Sequence, residues 1–267
     1  MKQKPLYHRT IIAVAQKKFS NLRFTNVGES AATISYETYV RSSSDSTPIS
    51  FKPNLNYKLS NGESGIWDYS EITLNTNEWV EFWGVNTTPI SHFDSYDEDM
   101  YQLAGFSTTG TLSLSGNLLS LAHGKLTKDN YNVIPQAYQN KEEYGFFSGL
   151  FAGTSVINTP LLYGELTVGC YAFMFYKCTA LTTAILDNTN SDIVPCALWQ
   201  TFARCSVLNN ITNRYVTLQS DGSAVTSTSY NWVSGVASNG TFYRGGSTPT
   251  TRGASYIPNN WNIVTIS

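Results

Sequence analysis

Apolar and polar residues alternate with a period of two through much of the first half of the chain, which predicts β-strands. Residues 33–40 place four side chains on one face: Ile34, Tyr36, Thr38 and Val40. In residues 79–83, Val80 and Phe82 face one way, and the opposite face carries Trp79, Glu81 and Trp83. Short strands separated by turn signals such as Asn61-Gly62 are typical of a sandwich or barrel. We therefore expect residues 21–124 to form a β-sandwich-like module.

A sequence repeat with a longer period follows in the second half of the chain. Phe151, Phe175 and Phe202 each begin a similar heptapeptide, with spacings of 24 and 27 residues. Another large apolar residue stands four positions before each of them: Phe147, Tyr171 and Leu198. Periods in the twenties are those of leucine-rich repeats, in which each repeat adds one short strand to a stack. The fold class we expect is mainly β, with a short leucine-rich-repeat solenoid over residues 144–218.

The segments beside these repeats have a different character. Residues 125–143 are polar and contain Pro135, which is typical of a connector or of a divergent first repeat. The repeat pattern ends after Tyr215, and residues 219–267 are rich in Ser, Thr, Gly and Asn with scattered aromatic residues. Because the last repeat of a stack exposes an apolar edge, we interpret residues 219–267 as a C-terminal cap.

Composition narrows the functional classes. Of the 267 residues, 13% are charged and 13% are aromatic, which is too little charge and too many aromatic rings for a disordered chain. The net charge of −2 argues against nucleic-acid binding. Six basic residues and no acidic ones lie in residues 1–28, whereas the rest carries 11 basic against 19 acidic residues.

This asymmetry defines a basic arm at residues 1–20, which carries Lys2, Lys4, Arg9, Lys17 and Lys18. Two interpretations stay open: a solvated tail, or an arm that docks on an acidic surface of a partner. The apolar run Ile11–Ala15 is shorter than the core of a signal peptide, and nothing approaches the length of a membrane span. We therefore expect no export signal and no membrane insertion.

Candidate chemistry is sparse. Cys170, Cys178, Cys196 and Cys205 form no CxxC pair and have no histidine nearby, so we expect no metal site. The acidic stretch 92–99 offers oxygen ligands for Ca²⁺ but lacks EF-hand spacing, and a solvated loop is favoured. No motif of a hydrolase, zinc protease or nucleotide-binding enzyme is present. The expectation is a protein that is not an enzyme and carries no cofactor.

Two sets of residues remain as candidates for a structural or binding role. Cys178 and Cys205 occupy equivalent repeat positions, so stacking brings them within the reach of a disulfide, although buried free thiols are favoured. With Phe151, Phe175 and Phe202 they are expected to form the repeat core. Trp79 and Trp83 are candidates for binding sugar or protein surfaces. The alternative is that neighbouring elements cover both faces of their sheet.

The repeats resemble the BspA-like leucine-rich-repeat family. The segment Tyr171-Ala172-Phe173-Met174-Phe175-Tyr176-Lys177-Cys178-Thr179-Ala180-Leu181 is similar to the family's aromatic–Met–Phe–x–x–Cys–x–x–Leu unit. The third unit departs from it at Trp199-Gln200-Thr201, and the first has Thr154 in place of Cys. The stretches 72–121 and 235–261 are similar to modules that precede and follow such repeats. Proteins of this type occur on gut anaerobes and in their phages, which implies adhesion or structural attachment.

These observations lead to a functional expectation: a bacteriophage virion structural protein, such as a head fibre, decoration or tail accessory protein. Its arm would dock on other virion proteins (capsid, tail or fibre components), and its repeats would be displayed toward a host-surface protein or glycan. We also expect a homo-oligomer. A bacterial cell-surface adhesin is the alternative, and a glycan-active enzyme is the third possibility.

Overall fold

The computed structural model describes residues 21–41, 49–87, 89–94, 101–122, 145–164, 166–188, 194–223, 226–245 and 250–266. The predicted basic arm, residues 1–20, and the predicted connector, residues 125–143, lie outside these described residues. The acidic stretch is described only as far as Asp94.

The described residues are mainly β, as the sequence predicts, with one short 3₁₀ helix at Leu118–Leu121. The strands are β1 (Leu22–Asn26), β2 (Ala32–Glu37), β3 (Tyr39–Arg41), β4 (Ile49–Phe51), β5 (Leu55–Leu59), β6 (Ser64–Ile66), β7 (Ile72–Leu74), β8 (Trp79–Gly84), β9 (His92–Asp94), β10 (Tyr101–Thr108), β11 (Leu112–Ser115), β12 (Leu162–Gly164), β13 (Thr183–Asn188), β14 (Asn210–Asn213), β15 (Thr241–Gly245) and β16 (Asn262–Ile266).

Two antiparallel sheets contain most of the strands up to residue 115. The first has the order β11-β1-β8-β5-β6 and the second the order β7-β2-β10-β9, while β3 and β4 form a separate pair. Burial alternates along β1, β2 and β8, so each strand has one face in the core. The sheets contact through aromatic rings: Phe24 of β1 lies 4.9 Å from Phe106 of β10, centroid to centroid. The arrangement buries one face of each sheet and leaves the other outside.

A five-stranded parallel sheet, in the order β12-β13-β14-β15-β16, follows in the second half. In-register residues of β13, β14 and β15 point into the core, namely Ala184, Ile211 and Phe242. The sheet therefore continues beyond residue 218, because the predicted cap supplies β15 and β16. Sequence patterns did not indicate these two strands, since neither follows a Phe-x-x-Cys unit.

The chain between the parallel strands consists of stacked turns. Backbone hydrogen bonds within one turn alternate with bonds to the turn stacked on it. Thr154 N donates to Phe151 O within a turn (3.1 Å), and Phe151 N donates to Met174 O of the neighbouring turn (2.9 Å). A positive φ recurs every fourth residue, for example at Gly169 (61°), Phe173 (55°) and Lys177 (59°). This region favours glycine, so Phe173 and Lys177 adopt a backbone conformation that their side chains disfavour.

One aromatic column connects the antiparallel sheets to the parallel one. Phe106 stacks on Phe151 at 5.5 Å, Phe151 on Phe175 at 5.1 Å, and Phe175 on Phe202 at 5.7 Å. The main cluster of buried apolar side chains extends from Leu22 to Trp261. Backbone bonds also cross the junction, as from Phe106 N to Leu150 O (2.8 Å). The two halves of the described chain therefore share a single core.

Candidate binding face

The two candidate tryptophans lie on the outer face of the first antiparallel sheet. They belong to β8, which lies between β1 and β5. Val80 and Phe82 of the same strand are fully buried, whereas Trp79, Glu81 and Trp83 are partly exposed. Strict alternation along one strand thus separates a core face from a surface face. We call the surface formed by Arg23, Asn56, Trp79, Glu81 and Trp83 the tryptophan face.

An ion pair holds one end of the tryptophan face. Arg23 of β1 lies directly opposite Glu81 of β8, and its Nε donates to Glu81 Oε1 at 3.0 Å. The Arg23 guanidinium also lies over the Trp79 ring, 4.1 Å from its centroid. Glu81 is 16% exposed and Arg23 38% exposed, so the pair is only partly screened by water. Asn21 completes the group, because its amide donates to the other Glu81 oxygen at 3.5 Å.

The other end of the tryptophan face is less enclosed. Asn56 of β5 lies opposite Trp83, and Ile66 of β6 lies opposite Asn56 in the next strand. Ile66 is 79% exposed, the largest exposure among the exposed large apolar side chains of the described residues. Lys58 faces Glu81 from β5 and is also exposed. Trp83 therefore lies beside a side-chain amide, and a solvent-facing apolar residue follows one strand further along the sheet.

Chemically, the tryptophan face combines ring stacking with hydrogen bonding. Indole rings bind apolar surfaces of sugars or of protein side chains, and polar neighbours give such contacts direction. Glu81 and Asn56 offer acceptors, while Arg23 and Asn56 offer donors. Such a surface can bind a ligand, but it contains no paired acid and base or activated nucleophile that would carry out a reaction.

The residues predicted as the repeat core are all fully buried: Phe151, Phe175, Cys178, Phe202 and Cys205. Cys178 and Cys205 are free thiols, and each donates a hydrogen bond to a phenylalanine carbonyl of the preceding turn in the stack. Cys178 donates to Phe151 O at 2.9 Å, and Cys205 donates to Phe175 O at 3.0 Å. Thr154, which replaces the cysteine in the first unit, donates to Phe151 O at 2.7 Å. These five residues therefore stabilise the stack and do not reach the surface.

Burial also controls the chemistry of two of the thiols, those of Cys170 and Cys205. It raises the pKa of Cys170 to about 12 and raises the pKa of Cys205 well above its ordinary value. A protonated, buried thiol is a poor nucleophile. Within the described ranges, no group of three or more His, Cys, Asp or Glu side chains is arranged to hold a metal ion.

Sequence reasoning identified Trp79 and Trp83 but not their partners. Arg23 is one of the six basic residues in residues 1–28, and the structure places it in β1, paired with Glu81. The two residues are 58 positions apart, and their pairing depends on the register of β1 against β8. The sequence contains no local signal for that register.

Comparison with known proteins adds no relative: no family model, curated protein or solved structure matches this chain. The resemblance to BspA-like repeats therefore stays a prediction. Among the residues that the structure describes, none of the helical segments has the length and hydropathy needed to cross a membrane.

Proposed function

We propose that this chain is a structural attachment protein of a bacteriophage particle. In this proposal the basic arm, residues 1–20, docks on other virion proteins, and the body is displayed toward the host surface as a head fibre, decoration or tail accessory. We also propose that the body consists of a β-sandwich-like module followed by a leucine-rich-repeat solenoid. One short parallel strand per turn stack supports the second part of this architecture.

The tryptophan face is the single observation that carries the proposal. Two indole rings that are partly exposed on the same face of a regular sheet offer a partner a large and rigid contact area. The buried side chains of this sheet belong to the main hydrophobic core of the described chain, so the tryptophan face lies on a well-packed, rigid sheet. A rigid sheet favours binding because its side chains lose little conformational entropy when a ligand binds.

Charge distribution supports the orientation. The basic residues concentrated before residue 28 suit a docking contact with an acidic partner surface, and the remaining chain is mildly acidic. A body of that charge has no general attraction for nucleic acid during particle assembly. The arm would therefore dock on the particle, and the rest of the chain would be displayed outward.

A cell-binding assay tests the attachment role. The purified full chain is labelled and incubated with intact cells of the bacterium that the phage infects, and bound label is measured against protein concentration. We expect the double variant Trp79→Ala/Trp83→Ala to lose at least about tenfold in affinity, equivalent to about 1.4 kcal/mol. Tyr215→Ala is the matched control, because Tyr215 is an aromatic residue that is 48% exposed in another part of the chain.

Folding of each variant is checked by its circular dichroism and melting temperature before binding is compared. Equal binding by the wild type and the folded double variant would contradict the proposal. Loss of binding in Tyr215→Ala as well would also contradict it, because attachment would then not depend on the tryptophan face.

A further inference from the structure

The spacing of the two indoles limits what can bind them together. Trp79 and Trp83 are four residues apart on β8, and a strand rises by roughly 3.3 Å per residue, so the rings are anchored about 13 Å apart. A single sugar or a small molecule reaches one ring only. A linear polymer that repeats a stackable unit along its length meets both rings when it lies parallel to β8.

The chemistry between the rings favours hydroxyl groups over an apolar protein surface. Glu81 occupies the middle position, and its side chain is partly exposed and already bound to Arg23. A protein partner that covered this carboxylate with apolar side chains would leave it unsatisfied, which is costly. Sugar hydroxyls can donate to Glu81 and accept from Arg23 or Asn56 without breaking the ion pair.

The charges on the tryptophan face favour neutral glycans over acidic ones. Arg23 is held by Glu81 and by the Trp79 ring, so an acidic sugar would have to compete with both for its guanidinium. Lys58 adds one positive charge directly opposite Glu81, but its side chain is exposed, and exposed ion pairs contribute little to affinity. The net attraction for an anion is therefore small compared with the stacking on two indoles.

From this geometry we infer that the tryptophan face binds an extended, neutral polysaccharide that lies along β8, with one sugar ring on Trp83 and another on the side of the Trp79 ring that the Arg23 guanidinium does not cover. This inference rests on the proposed function, because it names the ligand of the same face. The Arg23–Glu81 pair acts as a positioning group that fixes the Trp79 ring, whereas Trp83 and Asn56 form the more open subsite.

Affinity electrophoresis tests the ligand class. The full chain is run through native gels that contain a neutral linear polysaccharide (glucomannan, xylan or mixed-linkage glucan) or the acidic polygalacturonate. We expect retardation by at least one of the neutral polymers and none by polygalacturonate. Trp83→Ala should weaken the retardation about tenfold or more, and Trp83→Phe, which keeps a ring, should recover part of it. Tyr215→Ala should migrate as the wild type does.

Chain length gives a sharper test of the two-ring arrangement. Oligosaccharides of two to eight units from the retarding polymer are titrated while tryptophan fluorescence is recorded. The affinity should rise with length until the ligand spans both rings, and Trp83→Ala should remove that rise. A purely structural role of Trp83 would lower affinity for every length alike and would contradict the two-ring arrangement.

The outcomes separate this inference from the proposed function. Retardation only by polygalacturonate, or by no polymer, overturns the neutral-glycan inference, and so does retardation that Trp79→Ala/Trp83→Ala leaves unchanged. If cell binding still depends on both tryptophans in those cases, attachment stands and its ligand belongs to another class. If cell binding does not depend on them, the proposed function fails as well.

Discussion

Phe175 lies at the centre of the aromatic column, so its replacement tests whether that column holds the chain together. Its ring stacks on Phe151 at 5.1 Å with an interplanar angle of 15°, and on Phe202 at 5.7 Å with an angle of 24°. The side chain is fully buried. Phe175→Leu keeps an apolar side chain of similar size but removes both ring pairs.

The expected loss of stability follows from these two pairs. An aromatic pair contributes about 0.5–1.5 kcal/mol beyond its buried area, so losing two costs about 1–3 kcal/mol. Phe242→Leu is the matched control, because Phe242 is equally buried and, among the described residues, pairs with one ring, that of Trp232 at 6.3 Å. We expect Phe175→Leu to destabilise the chain by about 1 kcal/mol more than Phe242→Leu does.

Equilibrium unfolding in urea, followed by circular dichroism and by tryptophan fluorescence, measures both variants. The two probes should report one transition, because Phe151 also contacts Phe24 of the antiparallel sheets at 6.0 Å and the core is shared. Equal destabilisation by the two substitutions would refute the role of the column. Separate transitions for the two probes would refute the shared core.

Three further predictions concern the turn stack and the buried thiols. Gly153→Ala should lower the free energy of unfolding by about 1 kcal/mol, because the φ of Gly153 is +73° although the space for a methyl group is open. Lys177→Gly, at the equivalent position with a φ of +59°, should raise the free energy of unfolding. Urea titrations that show the same change in stability for both substitutions would contradict this prediction. A thiol reagent at pH 8 should modify no cysteine of the native chain and all four after unfolding, whereas two reactive thiols would indicate a disulfide. The free energy of unfolding should fall as the pH rises from about 9 to about 12. In this window the unfolded state has lost the Cys170 proton, whereas burial keeps the pKa of Cys170 in the folded state at about 12. A free energy of unfolding that does not change over this window would contradict the prediction.

The sequence was informative where a local pattern determines the structure. Alternation along residues 79–83 correctly separated the buried Val80 and Phe82 from the partly exposed Trp79 and Trp83. The Asn61-Gly62 signal lies in the hairpin that joins β5 to β6, where Gly62 has a φ of +94°. The equivalence of Phe151 and Phe175 also appears in space, since their rings stack. In each case neighbouring residues alone carry the information.

Features that depend on distant or weak signals were not predictable. The parallel strands β15 and β16 were missed because Phe242 and Ile263 are in register with Ile211 of β14 without a repeat motif around them. The left-handed conformation of Phe173 was missed because its residue type disfavours it and only the stacked turns impose it. The strand expected over 33–40 ends at Glu37, and Tyr39 begins a different pair with β4.

Particle composition tests the central proposal most directly. Phage particles are purified on a density gradient, washed in salt, and digested for quantitative mass spectrometry alongside peptides released by protease from intact host cells. The proposal predicts that peptides of this chain appear in the particle fraction in a fixed ratio to the capsid protein. Their absence from particles, together with their release from the cell surface, would contradict it and would identify the chain as a bacterial adhesin.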